Sequence, residues 1–161
     1  MLYWLIIFFV AYARAKINVN FFCIDWYEYK KLAGREWYKH VAENAVRVGK
    51  KVGKRLIEEL IRDALELPSR RTIHAVGFGY GAHMVGNAAR YSDGKIGRIT
   101  GLDPRRNWFQ RSKHKQKMLK KSDAYLVDII HSNGGRRGVA GKSGFISVLT
   151  FQNIYLAIHD D

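Results

Sequence analysis

The sequence predicts an α/β fold, a mostly parallel sheet with crossover helices, and three observations carry that prediction. Strand-like apolar runs alternate with stretches of helical periodicity, in the order strand, helix, strand, turn, helix, strand. A glycine-rich turn, Gly77-Phe78-Gly79-Tyr80-Gly81, leads from one such strand directly into a helix. At 161 residues, with two prolines, no internal repeat and no low-complexity linker, the chain has material for one core.

Each element has its own signal. Leu2 to Val10 is almost continuously apolar, and Ala13-Arg14-Ala15 has the small-x-small form of a signal cleavage site without the basic residues that should precede the apolar run. A run this short also reads as a buried core segment, and it is too short to read as a transmembrane span. Asn18 to Ile24 reads as a strand, with the single cysteine, Cys23, as a small buried hydrophobe. From Trp37 to Leu65 the positions Val41, Ala45, Val48, Val52, Leu56 and Leu60 recur every three or four residues, which predicts a long amphipathic helix. Leu67-Pro68-Ser69 ends it, and Thr72 to Val76 is the next strand. Ala82, Val85 and Ala89 share one face of the helix after the turn. Past Gly134 to Gly144, a basic glycine-rich loop, Phe145 to Phe151 is a strand-like run that either joins the sheet or drapes over its edge.

The Gly77–Gly81 turn has the spacing of a Gly-x-Ser-x-Gly nucleophile elbow, with glycine at the position of the nucleophile. A residue at the tip of such an elbow is held in a strained conformation, which predicts a positive φ at Gly79. A dinucleotide-binding loop is the rival reading, but its third glycine should come three residues after the second, and here it comes two after.

Further motifs stand around the turn in a recognisable order. Gly77 to Arg90 is followed by Lys95 to Leu102-Asp103-Pro104, preceded by a run ending in Asp25-Trp26, and succeeded by Ser122-Asp123-Ala124 and Val127-Asp128-Ile129-Ile130-His131-Ser132-Asn133. Over residues 10 to 135 this closely resembles the pancreatic-type lipase and phospholipase A1 family of α/β-hydrolases. The resemblance implies a partial α/β-hydrolase domain over residues 16–161, lacking the early strands, the His-Gly loop that supplies one oxyanion amide, and the C-terminal β-sandwich. Residues 1–15 are then either a leader or, at Leu5 to Tyr12, the core helix before the Asn18 strand. It also implies carboxylic ester hydrolysis and lipid catabolism as the family activity, and a secreted, extracellular setting.

Carried over by motif, Asp103 takes the triad-acid position, Gly79 the vacant nucleophile position, and Tyr80 the place just after it. The triad histidine should lie well beyond Asn133, where His159 matches no motif. The expectation is therefore a catalytically inert, lipase-like protein. One alternative is an esterase with a displaced nucleophile, Ser92 or Ser132, served by His83 or His131; another is a fragment of a longer lipase-like chain.

No cofactor is implied, and no metal is expected. The loop that offers carboxylates to calcium in the family reads Lys117-Met118-Leu119-Lys120-Lys121-Ser122-Asp123, where a hard cation would meet lysines and one acid. The formal net charge of +14 is the other strong signal. Arg105, Arg106, Arg111, Lys113, Lys115, Lys117, Lys120 and Lys121 crowd one segment, which reads either as a solvated face or as a patch for an anionic membrane surface or a sulfated glycan. Trp108 and Phe109 within it read as residues able to seat at a membrane interface. Two aromatics make no stacking platform for nucleic acid, and nothing in the sequence sets an oligomeric state.

Overall fold

The computed structural model describes residues 22–26, 28, 37–57, 70–92, 96–131, 146–147 and 155–156. Its centre is a parallel sheet of β1 (His74–Phe78), β2 (Ile96–Leu102) and β3 (Ala124–His131), joined by β4 (Ile146–Ser147) in parallel with β3. The short β5 (Tyr155–Leu156) runs antiparallel to β3. Part of the Phe145 to Phe151 run thus joins the sheet, at Ile146 and Ser147.

Helix α1 (Trp37–Lys51) crosses α2 (Tyr80–Tyr91), and α2 packs on β1 and β2. The positions predicted to face inward, Val41, Ala45 and Val48, are buried, and the small Ala42 and Gly49 beside them let the two helices approach closely. The long helix is interrupted: α-helical geometry stops at Lys51, and a π-helical turn, Val52–Ile57, follows. The predicted continuation to Leu65 lies outside the described residues. Strand β1 begins at His74 and extends to Phe78, because backbone pairing with β2 continues to the Phe78 and Leu102 register pair; Arg70–Thr72 is a 3₁₀ turn.

Two expectations fail at the sequence's apolar residues. Phe22 to Ile24 has no strand pairing and Cys23 is exposed, so the cysteine is not a core residue; Asn18 to Phe21 lie outside the described residues. Trp108 and Phe109 are 6% and 0% exposed and belong to the core. They therefore do not present an interface-seating surface. Trp108 takes a φ of 65° that turns the chain inward, stacks on the His114 ring at 3.7 Å and meets Phe109 edge-on. Burial of each ring is worth about 1.5–3 kcal/mol, more than a basic loop gains by displaying it.

The basic segment is held by one polar edge of α2. His83, Asn87 and Arg90 fall on a single helical stripe and all reach across to it. Leu119 N–H donates to His83 Nδ1 at 3.1 Å, so the ring proton sits on Nε2 and is donated to the Arg105 carbonyl at 2.7 Å. Asn87 donates to the Lys117 carbonyl, and Arg90 to the Gln116 and Met118 carbonyls. Arg90 also grips the buried Asp123 through Nε and Nη2 at 2.8 and 3.1 Å, while Asp123 accepts the Lys120 N–H. Burial pushes the Asp123 carboxyl up, and Arg90 and the Lys120 N–H pull the other way.

The opposite sheet face carries a second polar ladder. Thr100 donates to Asp128, so His74 Nε2 donates to Thr100 at 2.8 Å, and Arg98 pairs with Asp128 at 2.9 Å. Val76 and Phe78 on the same face are about 40% exposed.

Two outcomes follow from the α2 edge. Burial lowers the His83 pKa from 6.5 to about 4, so below pH 6.5 the unfolded chain binds a proton that the native state refuses. Stability should therefore fall as pH drops from 6.5 toward 4, with His83 contributing at most about 1.4 kcal/mol per pH unit. Denaturant titrations at stepped pH should show that slope shrink by about one proton in His83→Gln. Asp123→Ala leaves the Arg90 guanidinium partly buried without its anion and should cost about 3 kcal/mol in the same measurement.

Candidate functional site

The elbow forms where β1 hands over to α2. At Gly77 an added Cβ would stand 2.3 Å from the Gly81 carbonyl, so strand and helix pass at a distance only glycine permits. Gly79, at the tip, has φ 61° and ψ −115°, as the elbow spacing predicts. The tip is tied to the end of β2: Gly79 N–H donates to the Leu102 carbonyl at 2.8 Å, and Arg105 N–H donates to the Gly79 carbonyl at 3.2 Å.

Asp103 closes β2 with φ 43°, its N–H donating to the Ile130 carbonyl at 2.8 Å, which places it beside the C-terminal end of β3. There it faces His131. Burial pushes the His131 pKa down and the Asp103 charge opposes the shift. Strand pairing therefore brings Gly79, Tyr80, Asp103 and His131 to the same end of the sheet, where ligands of open α/β sheets bind. His131 Nδ1 is buried with no hydrogen-bond partner among the described residues.

The displaced-nucleophile alternative loses two of its members. Ser92 is buried at the far end of α2 and donates to the Ala89 carbonyl, and both nitrogens of His83 are committed to backbone groups. A ring with no free lone pair cannot act as a base. Ser132 lies outside the described residues.

The space before Gly79 is taken by a residue that sequence reading treated only as part of a charge run. A Cβ at position 79 would stand 3.6 Å from Arg105 Cγ and 3.8 Å from its Nε. Arg105 follows Asp103-Pro104 directly, but only the hydrogen bonds from His83 and to Gly79 turn it back over the elbow. Tyr80 is 7% exposed, and burial raises its pKa to about 12 against the pull of the Arg105 charge.

The expected binding residues sit on the anchored segment. Lys113, Lys115 and Lys121 are exposed, Lys117 and Lys120 half-buried, with the Lys117 ammonium 5.2 Å from the centre of the Trp108 ring. An open cavity of about 540 Å³ lies alongside, lined by Tyr38, Lys39, Arg106, Asn107, Trp108, Gln110 and Arg111. Asp123, the acid left in the calcium-type loop, is spent on Arg90 and the Lys120 N–H.

Comparison with known proteins finds relatives of this chain. A family model described as Lipase matches residues 3–144. Pancreatic triacylglycerol lipase of Homo sapiens is 38% identical over 117 residues, covering 73% of this chain and 23% of that protein. The Cavia porcellus enzyme of the same name is 35% identical over 117 residues, with the same coverage, and pancreatic lipase-related protein 2 of Cavia porcellus is 35% identical over 116 residues, covering 72% and 25%. The matched stretch thus spans about a quarter of the length of these relatives.

Replacing the tip glycine measures the strain directly. Since a methyl group at 79 meets only ordinary contacts, the cost of Gly79→Ala is that of forcing a positive φ, and it should lower the unfolding free energy by about 1–3 kcal/mol. Unchanged or increased stability in urea would mean the turn is not held in this conformation.

Proposed function

Because this chain belongs to the lipase family, as the match over residues 3–144 shows, we propose that it uses the family scaffold to bind anionic lipid surfaces rather than to hydrolyse esters. The observation that carries the proposal is the tip of the elbow. Gly79 stands where the resemblance puts a serine, and the Arg105 stem occupies the space in front of it. Glycine has no atom with which to attack an acyl carbon. Asp103, at the triad-acid position, keeps its place at the strand end with no nucleophile to serve.

Binding is supported by what the scaffold displays. Lys113, Lys115 and Lys121 project from a segment that the α2 edge holds in one conformation, next to the cavity bearing Lys39, Arg106 and Arg111. Fixed cations attract a charged surface without first having to be ordered. Among the described residues no helix is long and apolar enough to cross a membrane, so in this reading contact is peripheral and electrostatic. We take the domain as residues 16–161 and its setting as extracellular, where the family's lipid substrates are met; a sulfated glycan surface would draw on the same lysines.

Two measurements test this. Purified protein given a nitrophenyl ester or a phospholipid should show no turnover above background, and Gly79→Ser should not restore it, since the resemblance puts the triad histidine beyond Asn133, where His159 matches no motif; saturable turnover that survives repurification would overturn the reading. Adsorption to anionic vesicles should weaken as salt rises through physiological strength, where the screening length is about 8 Å. Replacing Lys113, Lys115 and Lys121 together by glutamine should cost about 3 kcal/mol, roughly a hundredfold in affinity, while replacing Lys50 and Lys54 should cost far less. Equal losses from both sets would reduce the patch to diffuse attraction.

A further inference from the structure

We propose that the open cavity beside the basic segment is a binding site for a phosphorylated cyclic polyol, such as an inositol or sugar phosphate, with Arg106 and Arg111 taking the phosphate and Tyr38 and two side-chain amides taking the ring. The proposal rests on the reading that this segment meets anionic lipid, and it names the headgroup. Its ground is what one cavity of about 540 Å³ brings together. Arg106, Arg111 and Lys39 line it, and so do Asn107, Gln110 and Tyr38. The volume falls in the range of about 300–1,000 Å³ typical of small-molecule sites, more room than a lone phosphate fills. Among the described residues no aliphatic side chain lines it, so the walls suit a headgroup and not an acyl tail.

One wall is built in advance. Across the turn from Arg106 to Arg111, Phe109 N–H donates to the Asn107 carbonyl at 2.8 Å and Gln110 N–H to the Arg106 carbonyl at 3.2 Å. Trp108 at its centre has a φ of 65°, a conformation costly for any residue with a side chain, and it is kept there by the stack on His114 and by the fully buried Phe109. With the middle of the turn locked inward, Arg106, Asn107 and Arg111 remain exposed, and Tyr38 and Lys39 from the first turn of α1 share the cavity with them. A ligand entering here meets a backbone that is already ordered, which spares affinity. Strained turns of this kind gather at ligand sites.

Each lining group has its counterpart in such a ligand. A guanidinium is a planar fork that takes two phosphate oxygens at once, and the Lys39 ammonium adds a point charge. Side-chain amides both donate and accept, as the neighbouring hydroxyls of a polyol ring do, so Asn107 and Gln110 suit the ring and not the phosphate. Tyr38, 48% exposed, supplies an apolar ring with a hydroxyl at its end. Charge alone would hold any anion; the amides and the tyrosine are what favour an anion carrying a hydroxylated ring.

Two measurements on the full chain test the site. Isothermal titration with inositol 1-phosphate, against myo-inositol and inorganic phosphate, reads the free ligand. Cosedimentation with phosphatidylcholine vesicles carrying either phosphatidylinositol or phosphatidylglycerol reads the lipid-borne one at equal charge. Inositol 1-phosphate should bind, with myo-inositol and inorganic phosphate about tenfold weaker or more, and phosphatidylinositol should be preferred about fivefold over phosphatidylglycerol. The Arg106→Gln, Arg111→Gln double variant should weaken inositol 1-phosphate by about tenfold or more and erase the vesicle preference, whereas Lys50→Gln, Lys54→Gln, an equal loss of charge, should do neither. A vesicle preference assigns the cavity to a lipid headgroup, and binding of the free ligand without that preference assigns it to a soluble phosphate ester. No binding of inositol 1-phosphate together with no vesicle preference, equal affinity for inorganic phosphate, or wild-type affinity in the double arginine variant would each overturn the proposal; should that variant fail to fold, wild-type affinity in both Arg111→Lys and Tyr38→Ala would do so. A chain that adsorbs equally to both anionic vesicles and ignores inositol 1-phosphate loses only this inference, whereas a chain that adsorbs to neither loses the surface-binding reading itself.

Discussion

The rest of the structure depends on the polar edge of α2, where His83, Asn87 and Arg90 reach from a buried helix to the backbone of the basic segment. Such an edge is expensive to bury unless every group finds a partner, and here the partners are carbonyls and an amide of the basic segment together with the Asp123 carboxylate. The backbone of residues 105 to 123 is consequently tied to the core at several points. Trp108 and Phe109 can turn inward because the backbone on either side is fixed, and Lys113, Lys115 and Lys121 further along the segment remain exposed.

The elbow holds its shape without a side chain at its tip. Its shape comes from parallel pairing of β1 with β2, from the close pass of Gly77 and Gly81, and from the hydrogen bonds that join Gly79 to Leu102 and Arg105. None of these uses a side chain at position 79. Glycine there keeps the turn while removing its strain, and the space it leaves is available to Arg105. In the function proposed above, a fixed positive charge at this place serves binding and not bond cleavage.

Much of the molecule was legible in the sequence because the signals were local. The parallel order of strands, the positive φ at Gly79 and the inward positions of α1 follow from periodicity and glycine spacing, which act over a few residues. The failures share a cause as well. Cys23 and Trp108 were judged by their neighbours in the chain, yet exposure of the first reflects absent strand pairing and burial of the second reflects a turn stabilised by a helix some twenty residues earlier. The stripe of His83, Asn87 and Arg90 on an otherwise apolar helix was the available clue that something polar had to dock there.

By itself, then, the sequence determined the fold class, the elbow and the emptiness of its tip, because a glycine without a side chain is the same wherever the chain places it. Only the tertiary structure decided what stands in front of that glycine. Arg105 lies twenty-six residues further along, and in the sequence it is one cation in a crowded run; two backbone hydrogen bonds, from His83 and to Gly79, select it. Contacts between distant segments are chosen by packing and by the need to satisfy buried polar groups, and neither is written in the spacing of residues along the chain.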